Sequence, residues 1–393
     1  MAVSGSGAMI APPLSIYVHM PWCVRKCPYC DFNSHAAPAQ LPQARYVDCL
    51  LEDLEHDLQW VQGRTVESIF FGGGTPSLFA PDEIGRVLAA LRARMPVAAD
   101  AEVTLEANPG AVERSDFADY RAAGVNRVSL GVQSFDDLQL GRLGRIHDSA
   151  QVQLAVGELH AAGIDNFNLD LMYGLPEQTV EAARLDIQKA IALRPTHISH
   201  YQLTLEPGTV FYHRPPPLPD DESAWAMQEV AQALLADSGY QQYEVSAYAQ
   251  AGRQCRHNLN YWRFGDYLGL GAGAHGKFTN MQSRQVWRTA RQKQPAEYMR
   301  SAAHARLIEH KLVANHDLPF EFMLNVLRLG EGFSPEEFRE RTGCELGEIA
   351  STLAEAVRLD LLKCESSARW APTSRGARYL NDLVALFLPR YVS

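Results

Sequence analysis

Residues 17–35 read YVHMPWCVRKCPYCDFNSH: an apolar, strand-like run that leads into Cys23, Cys27 and Cys30, three cysteines within eight positions. Thiolates are soft ligands that suit zinc or iron–sulfur clusters. Structural zinc sites pair one C-x2-C with a second pair elsewhere. Here the spacing is C-x3-C-x2-C and no later pair completes it. Three thiolates can hold three irons of a [4Fe–4S] cube and leave the fourth open to an exogenous ligand. His19 and His35 keep a zinc site as the alternative. Cys49, Cys255, Cys344 and Cys364 are isolated and read as packing cysteines, with Cys255 the least settled.

Seven cysteines, not spaced as a disulfide framework, point to a reducing, cytoplasmic compartment. The 393 residues are 46% hydrophobic, with a mean hydropathy of −0.21, so a sizeable core in two or three domains is expected. No 18-residue apolar run crosses a bilayer, and MAVSGSGAMIAPPLS lacks the features of a secretory signal. A net charge of −10 argues against a nucleic-acid partner. On such an acidic chain the basic run RQVWRTARQK (284–293) reads as a solvated helix face, or as a contact for propionates or a partner protein.

Outward from the cysteines, strands and helices alternate. Apolar or β-branched runs at 15–20, 66–73, 101–107, 126–132, 166–174 and 197–205 read as buried parallel strands. Residues 43–60 place Tyr46, Val47, Leu50, Leu51, Leu54 and Leu58 on one helical face. Further helices fit 81–94, 114–123, 149–162, 180–193 and 221–238. Six βα units imply an α/β fold, either doubly wound or a (β/α) barrel, whole or partial. One more strand is expected at 240–249, then an irregular segment rich in Gly and aromatics at 252–282. In FSPEEF, Ser334, Pro335 and Glu337 form a capping-box pattern. With helices at 346–358 and 373–387 around a small hairpin, it resembles a winged-helix-like α+β module.

The unusual polar residues fall at the C-terminal ends of these strands. GGGTP (72–76) follows the second, Glu106 and Asn108 end the third and Gln133 the fourth, while Asp170, Gln202 and Thr204 lie late in the fifth and sixth. Parallel α/β folds bind ligands at that edge, where loops vary while the sheet stays packed. Taken singly each residue has a plainer reading: a loop cap, a satisfied polar group, a turn needing positive φ. Together they favour a site.

The cysteine spacing, with Tyr29 between the last two, resembles that of radical S-adenosylmethionine (SAM) enzymes. The wider set, YVHMPWC…CPYC, FGGGTPS, LEANP, GVQSF, LDLMYGLP and LTLEPGT, is similar to the subgroup of the oxygen-independent coproporphyrinogen III oxidase, from about residue 14 to 380. The resemblance implies a partial (β/α)6 barrel over 15–240, after a tail at 1–14. It also implies a connecting region at 241–305 and a C-terminal helical domain at 306–393. Cys23, Cys27 and Cys30 would hold a [4Fe–4S] cluster whose open iron takes SAM, beside Tyr17, Gly73 and Glu106. A second SAM would meet Gly74, Thr75, Gln133, Arg145, Asp170 and Thr204.

Two departures separate the chain from the oxidase: Phe32 stands where the oxidase carries a further cysteine, and the oxidase's longer N-terminal extension is missing. CRHNLNYW (255–262) is instead similar to the H-N-x-x-Y-W motif of the HemW haem chaperones. That resemblance implies haem binding, with His257 as candidate iron ligand and His275 and Cys255 as rivals. Nearby Arg253, Arg256 and Arg263 suit propionates. The expected function is haem transfer to acceptor haem proteins such as respiratory enzymes, which leaves room for contact with a membrane surface and for a dimer. No residue is assigned a catalytic role. The alternatives are an oxidase-type radical enzyme and a scaffold that has kept only the fold.

Overall fold

The computed structural model describes residues 10–110, 114–365 and 368–389, so most of the expected tail at 1–14 lies outside the described residues. Six parallel strands, β1 (Leu14–Met20), β2 (Val66–Gly73), β3 (Val97–Ala107), β4 (Arg127–Gln133), β5 (Phe167–Tyr173) and β6 (His197–Gln202), lie side by side in chain order. Helices Gln43–Val61, Pro81–Arg94, Phe117–Ala123, Ser149–Ala161 and Val180–Ala192 join them, making a partial (β/α)6 barrel. The strands are apolar because they are covered on both faces: all seven residues of β4 are buried. Two short helices in this part of the chain, Asp137–Arg142 and Val210–His213, were not foreseen; Asp136 and Thr209 cap them through their side chains.

The region after the barrel differs most from expectation. The strand expected at 240–249 is a hairpin, β7 (Gln241–Glu244) and β8 (Ala247–Ala249), held antiparallel against β6. The Glu244 carboxylate accepts from the backbone and side chain of Ser246 and so makes the turn. The segment expected to be irregular contains β9 (Asp266–Leu270), parallel to β1, and the antiparallel β10 (His275–Asn280). Its glycines, which disguise the strands, are demanded by close approach. A Cβ on Gly269 would stand 1.9 Å from the His275 carbonyl oxygen, and one on Gly276 2.4 Å from Thr289 Oγ1. The basic run is no helix but β11 (Gln285–Arg291), followed by β12 (Leu307–Leu312). The full sheet runs β12-β11-β10-β9-β1-β2-β3-β4-β5-β6-β8-β7.

Burial of Arg291 explains why the basic run is not a solvated face. Arg291 bridges Asp57 at 2.5 Å and Asp53 at 3.2 Å, both on the helix Gln43–Val61. Arg306 adds 3.3 Å to Asp53 and 2.5 Å to Glu52, and the Tyr298 hydroxyl donates to Asp53. This network fastens β11 and the segment after it to the first helix. Beyond it, helices Leu318–Val326, Pro335–Thr342 and Ala350–Arg358 pack on a small hairpin, Leu362–Cys364 with Trp370–Pro372. The capping box forms: Glu337 N donates to Ser334 Oγ, and Ser334 N to Glu337 Oε2. The helix expected at 373–387 breaks at Tyr379 into Ser374–Arg378 and Leu380–Ala385.

Replacing Arg291 with Met leaves Asp57 and part of Asp53 buried without their partner, a change that costs about 3–5 kcal/mol for such pairs. Urea denaturation is expected to show that loss, and adding Asp57→Asn to the same chain is expected to recover part of it. An unchanged midpoint for Arg291→Met would remove the network from the list of what holds β11 in place.

Candidate functional site

The cysteine loop springs from the end of β1 and is closed at its base. Trp22–Cys23 pairs in parallel with His35–Ala36; His35 N donates to Pro21 O (2.7 Å) and Ala37 N to Cys23 O (2.8 Å). Asn33 Nδ2 reaches across to the carbonyls of Ala272 and Lys293, tying the loop to the region between β9 and β12. The GGGTP loop after β2 grips it from the other side: Gly74 N donates to Met20 O (2.7 Å) and Thr75 N to Trp22 O (2.8 Å). Only glycine permits this, because a Cβ on Gly74 would lie 2.6 Å from Trp22 O. Gly73 adopts φ +113°, and its missing Cβ would strike the His19 ring at 2.4 Å.

Above this clasp opens a cavity of about 440 Å³ whose wall contains Cys23, Cys27, Cys30, Gly73, Gly74, Thr75, Glu106, Gln133, Arg145, Asp170 and Thr204. The three thiols are half-buried and none is in a disulfide with a described residue. Burial raises the Cys30 pKa, while Arg145 Nη1 stands 3.5 Å from Cys27 Sγ. Among the described residues no three His, Cys, Asp or Glu side chains converge tightly enough for a single ion. His19 spends both ring nitrogens, on Tyr17 (3.0 Å) and on the Asn33 carbonyl (2.9 Å), so it offers a zinc ion no free donor. Three thiols facing one cavity from a closed loop suit a cluster in which each binds a different iron.

The carboxyls of the cavity are held against their usual chemistry. Glu106 accepts from Gly73 N (3.0 Å), yet burial, and then the charge of Asp170, push its pKa up to about 8. Burial also raises Asp170, against hydrogen bonds from Asn168 and Ser129. Two buried carboxyls in one wall, both raised despite their hydrogen bonds, fit a ligand bearing a positive charge or hydroxyls. Arg145 is braced by Asn108 and by the Gly131 carbonyl (3.0 Å), and Asn108 donates in turn to Thr75 Oγ1 (3.2 Å). Gln133 takes the left-handed region at φ 70° and accepts from the Tyr201 hydroxyl (2.8 Å). Thr204 lies beyond the end of β6, exposed at the rim. Sequence reasoning passed over Tyr201, although it shares an inward face with His197 and Ser199 at the period of two.

Two of the thirteen sequence-derived residues lie elsewhere. Tyr17 lines a second cavity of about 600 Å³, which shares Gly73, Glu106, Asp31 and Phe32 with the first. His257 lines neither cavity. It sits on the short helix Arg256–Trp262, which plugs the N-terminal side of the barrel, where Glu102 accepts from the Arg256 and His257 amides. The ring is 3% exposed; Nδ1 meets Ser68 Oγ at 3.1 Å, and its centroid lies 5.0 Å from Phe70 and from Tyr261. Cys255, at the start of the same helix, is fully buried and bonded to Glu102, with its thiol pushed up to about 12 by burial.

Comparison with known proteins agrees with this architecture. A profile of the radical SAM superfamily matches residues 17–189, and one of the HemN C-terminal domain matches residues 313–379. A protein of Escherichia coli K12 named "Heme chaperone HemW" is 50% identical over 96% of this chain and 98% of its own. A Haemophilus influenzae protein of the same name is 48% identical over the same shares. Among solved structures, the E. coli coproporphyrinogen III oxidase HemN aligns over 97% of this chain and 91% of its own, at a TM-score of 0.81. Its 23% identity speaks to the fold alone. Near-complete coverage at half identity, on a barrel carrying this cysteine loop, places the chain in the radical SAM superfamily as a member of the HemW family.

Proposed function

We propose that the protein binds haem and passes it to acceptor haem proteins, respiratory enzymes among them, beside a [4Fe–4S] cluster that takes SAM. The observation that carries this reading is the 50% identity, over nearly the whole of both chains, to a protein named as a haem chaperone. The oxidase reading rests on the likeness to HemN, which is one of fold. Among the described residues no helix is long and apolar enough to cross a membrane, so any contact with membrane-bound acceptors is peripheral in this reading.

In this proposal Cys23, Cys27 and Cys30, which line the 440 Å³ cavity from the closed loop, would hold the cluster, each on a different iron. Gly73, whose bare backbone would let a methionyl group approach, Glu106 and Tyr17 are the residues that would hold the cluster-bound SAM. Gln133, Arg145, Asp170, Gly74, Thr75 and Thr204 line the space left for a second SAM. Arg145 supplies the cation for a carboxylate, and Asp170 the anion for a sulfonium or ribose hydroxyl. Bound SAM supplies the cluster with its missing ligand; the protein's part is to hold, orient and screen it from water.

Four measurements test the proposal. Titration with haem is expected to give a saturable Soret shift near one haem per chain, while anaerobic incubation with coproporphyrinogen, SAM and a strong reductant yields no protoporphyrinogen. No Soret shift would end the chaperone reading, and product would restore the oxidase. Cys23→Ala, Cys27→Ala and Cys30→Ala are each expected to abolish the brown cluster absorbance on reconstitution; survival of the colour would move the ligands elsewhere.

The fourth concerns Glu106. With its pKa at about 8 the free carboxyl is mostly protonated at pH 7, and a bound cation favours the ionised form. SAM binding to the cluster-loaded protein is therefore expected to release a proton near pH 7. Affinity then rises with pH, by up to about tenfold per unit, until it levels above 8. Calorimetry in two buffers of different ionisation enthalpy reads the proton, and Glu106→Gln is expected to remove it. Equal apparent enthalpies in the two buffers would show that Glu106 does not face the charge.

A further inference from the structure

The second cavity has a chemistry unlike the first. Its volume of about 600 Å³ lies within the range of small-molecule and cofactor sites, ~300–1,000 Å³. Tyr17, Tyr261 and Tyr267 give it aromatic walls, and the last two are stacked with centroids 4.0 Å apart. The Phe32 ring, 60% exposed, stands at the edge it shares with the cluster cavity. Two cations border it. Lys293 is exposed and makes no ion pair with a described residue. Lys26 donates to the carbonyls of Phe32 (3.2 Å) and Ser34 (3.3 Å) and keeps a third donor for a ligand. Two imidazoles line this space: His19, whose ring nitrogens are both engaged, and His275, the exposed first residue of β10, neither of whose ring nitrogens bonds a described residue. Burial and the charge of Lys293 lower its pKa, which favours the neutral ring that ligates metals.

The slot is part aromatic and part polar; Asp31 and Glu106 lie on the wall it shares with the cluster cavity, while the tyrosine walls, an unspent imidazole and two cations suit a flat, iron-bearing dianion. We infer that haem occupies this second cavity, with His275 facing the iron and Lys26 and Lys293 meeting the propionates. The inference rests on the haem reading above and deepens it by placing the ligand. It assigns a different part to the H-N-x-x-Y-W stretch. Tyr261 forms a wall of the slot, and His257 props that wall from behind, its centroid 5.0 Å from Tyr261 and 6.3 Å from Tyr17. His257 is thus a positioning residue: to reach an iron it would have to leave the interior of the barrel. The shared wall at Asp31, Phe32, Gly73 and Glu106 sets the haem edge next to the cluster cavity, so occupancy of one is felt in the other.

The test is a haem titration of the full-length, cluster-loaded protein, followed by absorption and low-temperature electron paramagnetic resonance. Wild type is expected to give a histidine-ligated spectrum. His275→Gly is expected to lose that signature and weaken binding about tenfold or more, and added imidazole to restore the spectrum. His257→Phe, which keeps the volume, is expected to retain the histidine signature with a lower affinity. Lys26→Glu with Lys293→Glu is expected to weaken binding while leaving the ligation spectrum unchanged. If His275→Gly binds with an unaltered spectrum, or His257→Phe alone loses it, the placement is overturned while the haem reading stands. If wild type binds no haem, both fall together.

Discussion

Everything at the C-terminal edge of the barrel depends on how closely two loops approach. The amides of Gly74 and Thr75 bond to the carbonyls of Met20 and Trp22, and they do so through a space in which a single Cβ would collide with backbone. That contact sets the distance between the cysteine loop and the end of β2. It also turns the Gly73 amide toward Glu106, fixing the carboxyl between the two cavities. A strand end is rigid and a loop end is not; the bare backbone lets the second borrow the rigidity of the first.

From that clasp the two cavities diverge in character. One gathers the three cluster thiols, Arg145 held by Asn108 and Gly131, and carboxyls that burial makes reluctant to ionise. The other is aromatic, bordered by lysines and an imidazole. A charged nucleoside-like ligand and a flat macrocycle need such different surroundings, and a common wall lets one small region of protein serve both. Phe32 belongs to that wall. An aromatic ring there offers surface to a macrocycle, whereas a thiol in the same place would compete for metal.

The barrel was legible in the sequence because its strands are buried on both faces and its helices show one apolar stripe. Each signal is local. The polar residues of the strands were legible as a set for the same reason: Glu106 and Gln133 come at the ends of apolar runs, and Asp170 interrupts one in the middle of β5. What stayed hidden depends on contacts between distant parts of the chain. The glycines of 265–276 look like loop residues until β9 and β10 are seen pressed against their neighbours. The spacing of arginines in 284–293 suits a helix face, and nothing local tells that Arg291 has Asp53 and Asp57 waiting for it. For His257, residue type suggested a ligand, but depth is a property of the assembled barrel, and the helix that carries it turns the ring inward. Tyr201 was the reverse case, an inward position that strand alternation alone would have found.

The placement of β9 beside β1 carries a consequence for how the molecule comes into being. Leu14 pairs with Asp266 and Val18 with Leu270, so the strand that bears the cysteine loop finds its second neighbour only after roughly two thirds of the chain has been made. Through that interval β1 is an open edge with unpaired amides, a template for pairing with other chains. Closing it also demands a contact between segments far apart in sequence, which slows folding. The two cavities thus form in a natural order: the first draws its lining from residues 23–206, whereas the second, with Tyr267 on β9 and His275 on β10, exists only once the chain has returned to seal its own first strand.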